Sequence, residues 1–120
     1  MKAISVIWSL TPHLGIQLMR EALTAHPDVD GVFCTNDDIA MGALLWCRER
    51  QLAVPEQISI AGFHGLEMGR QMIPSLASVI TPRFEIGHRA AQMLLNKIKN
   101  NDLNHNTIDL GYQIYHGNTL

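Results

Sequence analysis

The feature that most restricts the fold of this 120-residue chain is a strand–helix–strand pattern between Gly31 and Gly65. Residues 31–34 and 58–63 are short apolar runs, and residues 37–50 between them carry apolar side chains at spacings of three and four. Short, continuous apolar strands that alternate with helices are typical of a parallel sheet covered by helices. The sequence therefore predicts an α/β fold, an open parallel sheet with helices on both faces.

The remaining segments continue the alternation of helix and strand. Thr11 can cap a helix, and Pro12 suits the first position of that helix because its missing N–H would be unpaired there. The other predicted elements are helices over 12–26 and 83–100, strands over 3–8, 76–81 and 108–115, an irregular segment or short helix over 64–74, and a polar loop over 100–106. A length of 120 residues is enough for one modest domain, and we expect one domain over residues 1–120.

Composition excludes several classes of protein. Hydrophobic residues make up 47% of the chain, which is enough to form a core. The net charge is −2 and no Lys/Arg block occurs, so the chain is not itself a DNA-binding module. Its apolar runs fall well below the ~20 residues that span a bilayer. We therefore expect no membrane partner.

The cysteines indicate the compartment. Cys34 and Cys47 lie in a predicted buried strand and a predicted helix, without metal-ligand spacing, so buried reduced thiols are expected. The N-terminal residues resemble a weak signal peptide, but the apolar run is short and no small-residue cleavage site follows. A cytoplasmic location is the expectation.

Motifs for catalysis and metal binding are missing from the sequence. It contains no nucleophile elbow, Walker loop, zinc-protease motif or C-x-x-C, and its six histidines are scattered. Asp37 and Asp38 could serve a hydrolase together with His64. Adjacent helical residues point about 100° apart, however, and capping is the simpler interpretation of these carboxylates. We expect no enzyme, no cofactor and no metal.

Two polar residues at predicted strand ends are candidates for ligand binding. Asn36 offers both donors and an acceptor, as recognition of a polyol requires, although it can equally cap the next helix. His64 ends the second strand and can reach a cleft or serve as a structural histidine. Arg83, just past Pro82, can hold a carboxylate or remain solvated. The carboxyl ends of parallel strands are where such sheets bind ligands.

Four segments, in order and correctly spaced, resemble the signatures of the LacI family of bacterial transcription regulators. The segments are residues 31–45 (GVFCTNDDIAMGALL), 54–63 (VPEQISIAGF), 74–79 (PSLASV) and 85–87 (EIG). The Phe-His-Gly sequence at 63–65 and the C-terminal residues 110–117 are most similar to the regulators of gluconate and L-idonate use within that family.

The resemblance implies a fold and a ligand. Members have an effector domain of two Rossmann-like lobes, similar to type I periplasmic binding proteins, with the sugar between the lobes. Asn36 matches the ligand-binding asparagine of the family. His64 stands where most members carry an aspartate, and a histidine can pair with a carboxylate that an aspartate would repel. The resemblance thus implies a sugar acid as effector, with Thr81 and Arg83 near it.

The resemblance also implies that this chain is one incomplete lobe. Members begin with a helix-turn-helix domain and an N-terminal lobe, and neither is matched here, so DNA would be bound only through a domain absent from this chain. The apolar face of helix 83–100 packs on that other lobe in the family. Here we expect it to fold back on its own sheet or to dock on a second copy as a homodimer. A fragment of a periplasmic-type sugar-binding protein and a small α/β hydrolase remain as alternatives.

Overall fold

The computed structural model describes residues 10–99 and 107–120, and the predicted order of elements is confirmed there. The elements are α1 (Pro12–Ala25), β1 (Gly31–Phe33), α2 (Asp37–Glu49), β2 (Ser59–His64), α3 (Glu67–Gln71), β3 (Ala77–Ile80), α4 (Arg83–Ile98) and β4 (Gln113–Tyr115). The predicted strand over 3–8 and the predicted loop over 100–106 lie outside the described residues.

The four strands form one sheet in the order β1-β2-β3-β4. β1, β2 and β3 are mutually parallel, as predicted, whereas β4 runs antiparallel to β3. The last strand is also shorter than the predicted range 108–115. An Asp109 side chain that accepts a hydrogen bond from the Gly111 N–H at 2.8 Å turns the chain there, and Gly111 has a φ of +70°. Strand pairing therefore starts only at Gln113.

The hydrophobic core lies between α2 and the sheet. Its buried members come from α1, α2 and the three parallel strands with their flanking residues: Met19, Cys34, Ala40, Met41, Ala43, Leu44, Cys47, Ile58, Ile60 and Leu76. Val32 and Ile60 are register partners on this covered face. Phe33 lies on the opposite face and is 61% exposed. Among the described residues, the helix cover that the sequence predicts on both faces is thus seen on the face of α2.

Two glycines allow α1 and α2 to cross in backbone contact. A Cβ atom on Gly15 would overlap the carbonyl oxygen of Ile39, and a Cβ on Gly42 would overlap that of Pro12. Any larger residue at either crossing point would push the helices apart. This contact fixes α1 on α2, and thereby fixes the start of α2, where the candidate site begins.

Thr119, near the C-terminus, joins β2 to the start of β3, away from the carboxyl ends of the strands. Thr119 is fully buried, and its hydroxyl accepts a hydrogen bond from the Ala77 N–H at 2.9 Å and donates one to the Ile60 carbonyl at 2.6 Å. Its own carbonyl accepts from the Ile60 N–H at 2.8 Å. The threonine therefore bridges β2 and β3 where the two strands begin to separate.

Helix α4 stands away from the sheet. None of its residues is buried, and most of its apolar side chains are exposed, with Phe84 at 84%. The prediction that this helix folds back on its own sheet is wrong, because the chain leaves the sheet at Pro82 and β4 occupies the adjacent edge of β3. Docking on a second copy stays a prediction. No helix within residues 10–99 and 107–120 combines the length and apolarity that a membrane span requires.

Candidate functional site

Polar side chains gather at the edge of the sheet where β1, β2 and β3 end. Asn36 follows β1, His64 is the last residue of β2, and Thr81 follows β3. The three strands are parallel neighbours, so these ends lie side by side. The structure places three of the four predicted site residues along this edge.

Asn36 is buried and caps α2. Its side-chain oxygen accepts a hydrogen bond from the Asp38 N–H at 2.6 Å, and its backbone is extended, as an N-cap requires. The capping role considered from the sequence is therefore present. The cap uses only the amide oxygen, and the amide nitrogen can still donate to a ligand.

His64 is held in a backbone conformation that non-glycine residues rarely adopt. Its φ is +105°, and such a conformation costs about 1–3 kcal/mol unless the surroundings impose it. The ring Nδ1 lies 3.3 Å from the Thr81 hydroxyl, and the ring meets that of Phe63 edge-on with centroids 4.9 Å apart. His64 and Thr81 are thus brought together, and the Nδ1 contact leaves Nε2 on the other side of the ring.

Arg83 is the predicted site residue that the structure does not bring into this group. It is the first residue of α4, and its side chain is exposed. Its backbone N–H donates to the Thr81 carbonyl at 2.8 Å, which ties the start of α4 to the end of β3. The guanidinium therefore stands at the rim of the edge rather than within it.

Sequence reasoning missed the tertiary role of Asp37. Its carboxylate is fully buried and accepts one hydrogen bond from the Leu66 N–H at 2.5 Å and another from the Ser78 hydroxyl at 2.7 Å. Ser78 in turn accepts from the Gly65 N–H at 3.0 Å. The signal available in the sequence was a small residue at 62, where a Cβ would overlap the Asp37 carboxylate, and a serine on the neighbouring strand.

Two buried thiols belong to the hydrophobic core: Cys34, which precedes the site residues, and Cys47, near the end of α2. Burial, and to a lesser degree the charges of Asp37 and Cys47, raises the pKa of Cys34 to about 11. Burial alone raises the pKa of Cys47 to about 11 as well. Both cysteines are free, in agreement with the expected reduced thiols. Neutral thiols of this kind are core residues rather than nucleophiles.

A groove lies elsewhere on the chain. It has a volume of about 560 Å³ and is lined by residues from the end of α2, the α2–β2 connection and the α3–β3 connection: Leu44, Leu45, Arg48, Leu52, Val54, Gln71, Met72, Ile73 and Pro74. Val54 and Pro74 precede their strands, so the groove is at the amino ends of the sheet, away from Asn36 and His64. It contributes nothing to the candidate site.

Known proteins resemble this chain over nearly its whole length. A family model described as "Periplasmic binding protein-like domain" matches residues 5–120. The HTH-type transcriptional regulator IdnR of Escherichia coli (strain K12) is 87% identical over 108 residues, which are 90% of this chain and 32% of IdnR. The HTH-type transcriptional regulator GntR of the same strain is 44% identical over 106 residues, which are 88% of this chain and 32% of GntR.

Solved structures agree with these relatives. The crystal structure of transcription regulator GntR from Chromobacterium violaceum has a TM-score of 0.82 and 37% identity, over 91% of this chain and 40% of that chain. A transcriptional regulator CelR–cellobiose complex has a TM-score of 0.84 and 27% identity, over 91% of this chain and 33% of that chain. The chain spans 32% of the length of IdnR and of GntR from Escherichia coli. It belongs to the periplasmic binding protein-like family and is a LacI-family chain similar to the regulators IdnR and GntR.

Proposed function

We propose that this chain is the effector-binding portion of a LacI-family transcriptional regulator and that its effector is a sugar acid of the gluconate or idonate type. The observation that carries the proposal is the position of His64 at the end of β2, within 3.3 Å of Thr81. The family resemblance puts an aspartate there in most members. An imidazole can donate to a carboxylate, or pair with it when protonated, whereas an aspartate would repel it.

The neighbouring residues support the same ligand. The Asn36 amide nitrogen can donate to a sugar hydroxyl while its oxygen caps α2. Arg83, at the rim, is within the segment that leaves the same edge of the sheet, and its guanidinium can donate two hydrogen bonds to the carboxylate as a bidentate pair. These residues together offer donors to both hydroxyl and carboxylate groups of an aldonate.

The wider role follows from the relatives. IdnR and GntR are named as HTH-type transcriptional regulators, so we infer a cytoplasmic regulator that binds DNA through a domain outside this chain. Effector binding would change the DNA affinity of such a protein by coupling two sites. A homodimer is the expected assembly of the intact protein.

Catalysis is not part of this proposal. A small hydrolase would need a carboxylate that reaches a substrate, but the Asp37 carboxylate is fully buried and already accepts from Leu66 and Ser78. The other alternative, a fragment of a periplasmic-type sugar-binding protein, is disfavoured by the relatives, whose names are those of regulators.

The test is a titration of the 120-residue chain, followed by NMR, with gluconate, idonate and glucose. We expect shifts of the Asn36, His64 and Thr81 signals with the two aldonates and none with glucose at the same concentration. Binding will be weak, because the resemblance assigns the facing half of the cleft to a lobe outside this chain. Equal binding of all three compounds, or of none, would contradict the proposal for this chain.

A further inference from the structure

We propose that Asp37 is a positioning residue for the effector site: its buried carboxylate holds the turn after β2 in the conformation that presents His64. The inference rests on the proposed role of His64 in binding a sugar acid. The sequence pattern offered Asp37 only helix capping or a hydrolytic role, and the family resemblance assigned it no role.

The contacts of Asp37 join all three parallel strands: it follows β1 and contacts the turn after β2 and Ser78 within β3. The residue itself is the first of α2, directly after β1, while its oxygens accept from the Leu66 N–H at 2.5 Å and the Ser78 hydroxyl at 2.7 Å. The Ser78 oxygen accepts from the Gly65 N–H at 3.0 Å. Two successive backbone N–H groups after His64 are therefore held by one carboxylate, directly and through one serine.

The turn needs such support because its backbone is strained. His64 has a φ of +105°, and Gly65 follows at +67°. Glycine adopts positive φ freely, but histidine does not. If the Gly65 and Leu66 N–H groups lost their acceptors, the turn could relax to negative φ at His64. The imidazole would then lose its contact with the Thr81 hydroxyl. Nε2 would no longer be held in its present direction.

The carboxylate is chemically specific for this position. Its two oxygens accept from two separate donors at full burial, and no buried side-chain polar atom of the described residues lacks a partner. An asparagine of the same shape would keep one acceptor and direct an NH₂ group at either Ser78 or the Leu66 N–H. Facing Leu66, the NH₂ group leaves the Leu66 N–H without an acceptor; facing Ser78, it leaves the hydroxyl hydrogen without one. One buried donor is therefore unsatisfied in either orientation, which is unfavourable.

The next residue supplies a matched control. Asp38 lies in the same first turn of α2, and its N–H is the one that the Asn36 cap engages. Its side chain is only partly buried. Asp38→Asn therefore removes the same charge from the same helix end and leaves the turn after β2 untouched, whereas Asp37→Asn removes an acceptor from that turn.

The experiment compares the 120-residue chain with Asp37→Asn and Asp38→Asn. NMR measures the exchange of the Gly65 and Leu66 amides, the Cα and Cβ shifts of His64 that report its positive φ, and the affinities for gluconate and glucose. The Cys34 amide, which donates to the Ala61 carbonyl at 2.8 Å between β1 and β2, reports whether the sheet stays folded. A tenfold or larger increase in exchange at Gly65 and Leu66 is expected for Asp37→Asn alone.

The accompanying binding result is a tenfold or larger loss of gluconate affinity in Asp37→Asn and a change below twofold in Asp38→Asn. Unchanged His64 shifts and amide exchange in Asp37→Asn would overturn the proposal, as would equal effects of the two variants. Released amides with unchanged gluconate affinity would overturn it too.

Two further outcomes concern the parent chain and the folding of the variant. If the parent chain binds no aldonate, the proposed function fails for this chain, while the His64 shifts still show whether Asp37 holds the turn. If Asp37→Asn also exposes the Cys34 amide, the sheet has unfolded, and Ser78→Ala takes its place. That variant removes both the acceptor of the Gly65 N–H and the hydroxyl that donates to Asp37, and leaves the Leu66 contact in place. Unchanged His64 shifts in it would overturn the proposal.

Discussion

In the proposed function, the choice of effector depends on His64. It contacts Thr81 through Nδ1, and its backbone lies in the left-handed region at the end of β2. A hydrogen-bond donor at that position should favour a ligand with a carboxylate over a neutral sugar, and should distinguish less between ligands that differ only in their hydroxyl groups. The selectivity of the site can therefore be tested with a single substitution.

His64→Asp should reverse the preference for an acid. Placing a carboxylate beside the ligand carboxylate should lower gluconate affinity about tenfold or more, since one charge-assisted hydrogen bond contributes roughly 1.5–3 kcal/mol. Ligand-observed NMR with gluconate and glucose measures the ratio of the affinities. His88→Asp, on exposed α4, is the control for a general effect of charge. An unchanged ratio in His64→Asp would remove His64 from the site.

The two buried thiols should make the free energy of unfolding depend on pH. Each has a pKa raised from 9.0 to about 11 in the folded chain, so the unfolded chain loses these protons first. Their contribution to stability is complete below pH 9 and is lost as pH rises from 9 towards 11. Urea unfolding at pH 8, 9 and 10 should show a falling free energy of unfolding, and Cys34→Ala with Cys47→Ala should flatten that decline.

Three of the candidate site residues could be predicted from the sequence, but the buried contacts of Asp37 could not. Asn36, His64 and Thr81 follow from the rule that parallel strands end at one edge, together with the family resemblance. Asp37 and Asp38 look alike in sequence, since both are acidic residues in a first helical turn. Only the tertiary contacts with Leu66 and Ser78 distinguish them, because those partners are 29 and 41 residues away in the chain.

At the scale of elements, the crossing of α1 and α2 is the contact that tolerates least change. The crossing depends on Gly15 and Gly42, whose missing side chains let the two backbones touch. The helices themselves were predicted within a residue or two of their observed bounds, because their apolar spacing and the Thr11 cap are local signals. Their close approach was not, because it depends on two glycines 27 positions apart in sequence.

Gly42→Ala should destabilise the chain by about 1–3 kcal/mol, because the added methyl group would overlap the Pro12 carbonyl and separate the helices. Gly87→Ala in α4 is the matched control, since nothing lies within 4 Å of its added Cβ. That variant should be neutral or stabilising by about 0.5–1 kcal/mol, as alanine favours a helix. Urea denaturation measures both, and equal values would contradict the role assigned to the crossing.

The last strand shows where element prediction fails. Residues 108–115 alternate in polarity over their whole length, yet only Gln113–Tyr115 pairs with the sheet. The alternation reports which side chains suit a half-exposed strand, but the hydrogen bond from Gly111 to Asp109 decides where pairing begins. The antiparallel direction of β4 could not be predicted from the alternation either, because parallel and antiparallel strands can show the same alternation of polarity.

At the scale of the whole molecule, α4 determines the shape. The radius of gyration is 17.7 Å, against about 14 Å for a compact chain of this length. α4 is a helix of 16 residues without a buried side chain. An exposed apolar helix face of this kind favours association, which is why docking on a second copy stays the prediction.

Association should therefore depend on the apolar face of α4. We expect light scattering to show a dimer or larger species at concentrations of roughly 100 μM, a range typical of weak contacts. Leu94→Glu with Ile98→Glu should shift the chain towards the monomer, because both side chains are exposed in the single copy. Asn96→Glu on the same helix is the control for added charge. A parent chain that stays monomeric at that concentration would contradict the prediction.

The space around Asp37 has a consequence for how these positions can vary. Gly62 must lack a Cβ because the carboxylate of Asp37 occupies that volume, and Ser78 must be small and hydroxylic to satisfy the same group. A side chain gained at 62 is compatible with folding only if the one at 37 shrinks. The three positions are therefore epistatic: single changes are deleterious where a paired exchange is tolerated, and a library that randomises them together will recover combinations that stepwise mutation does not reach.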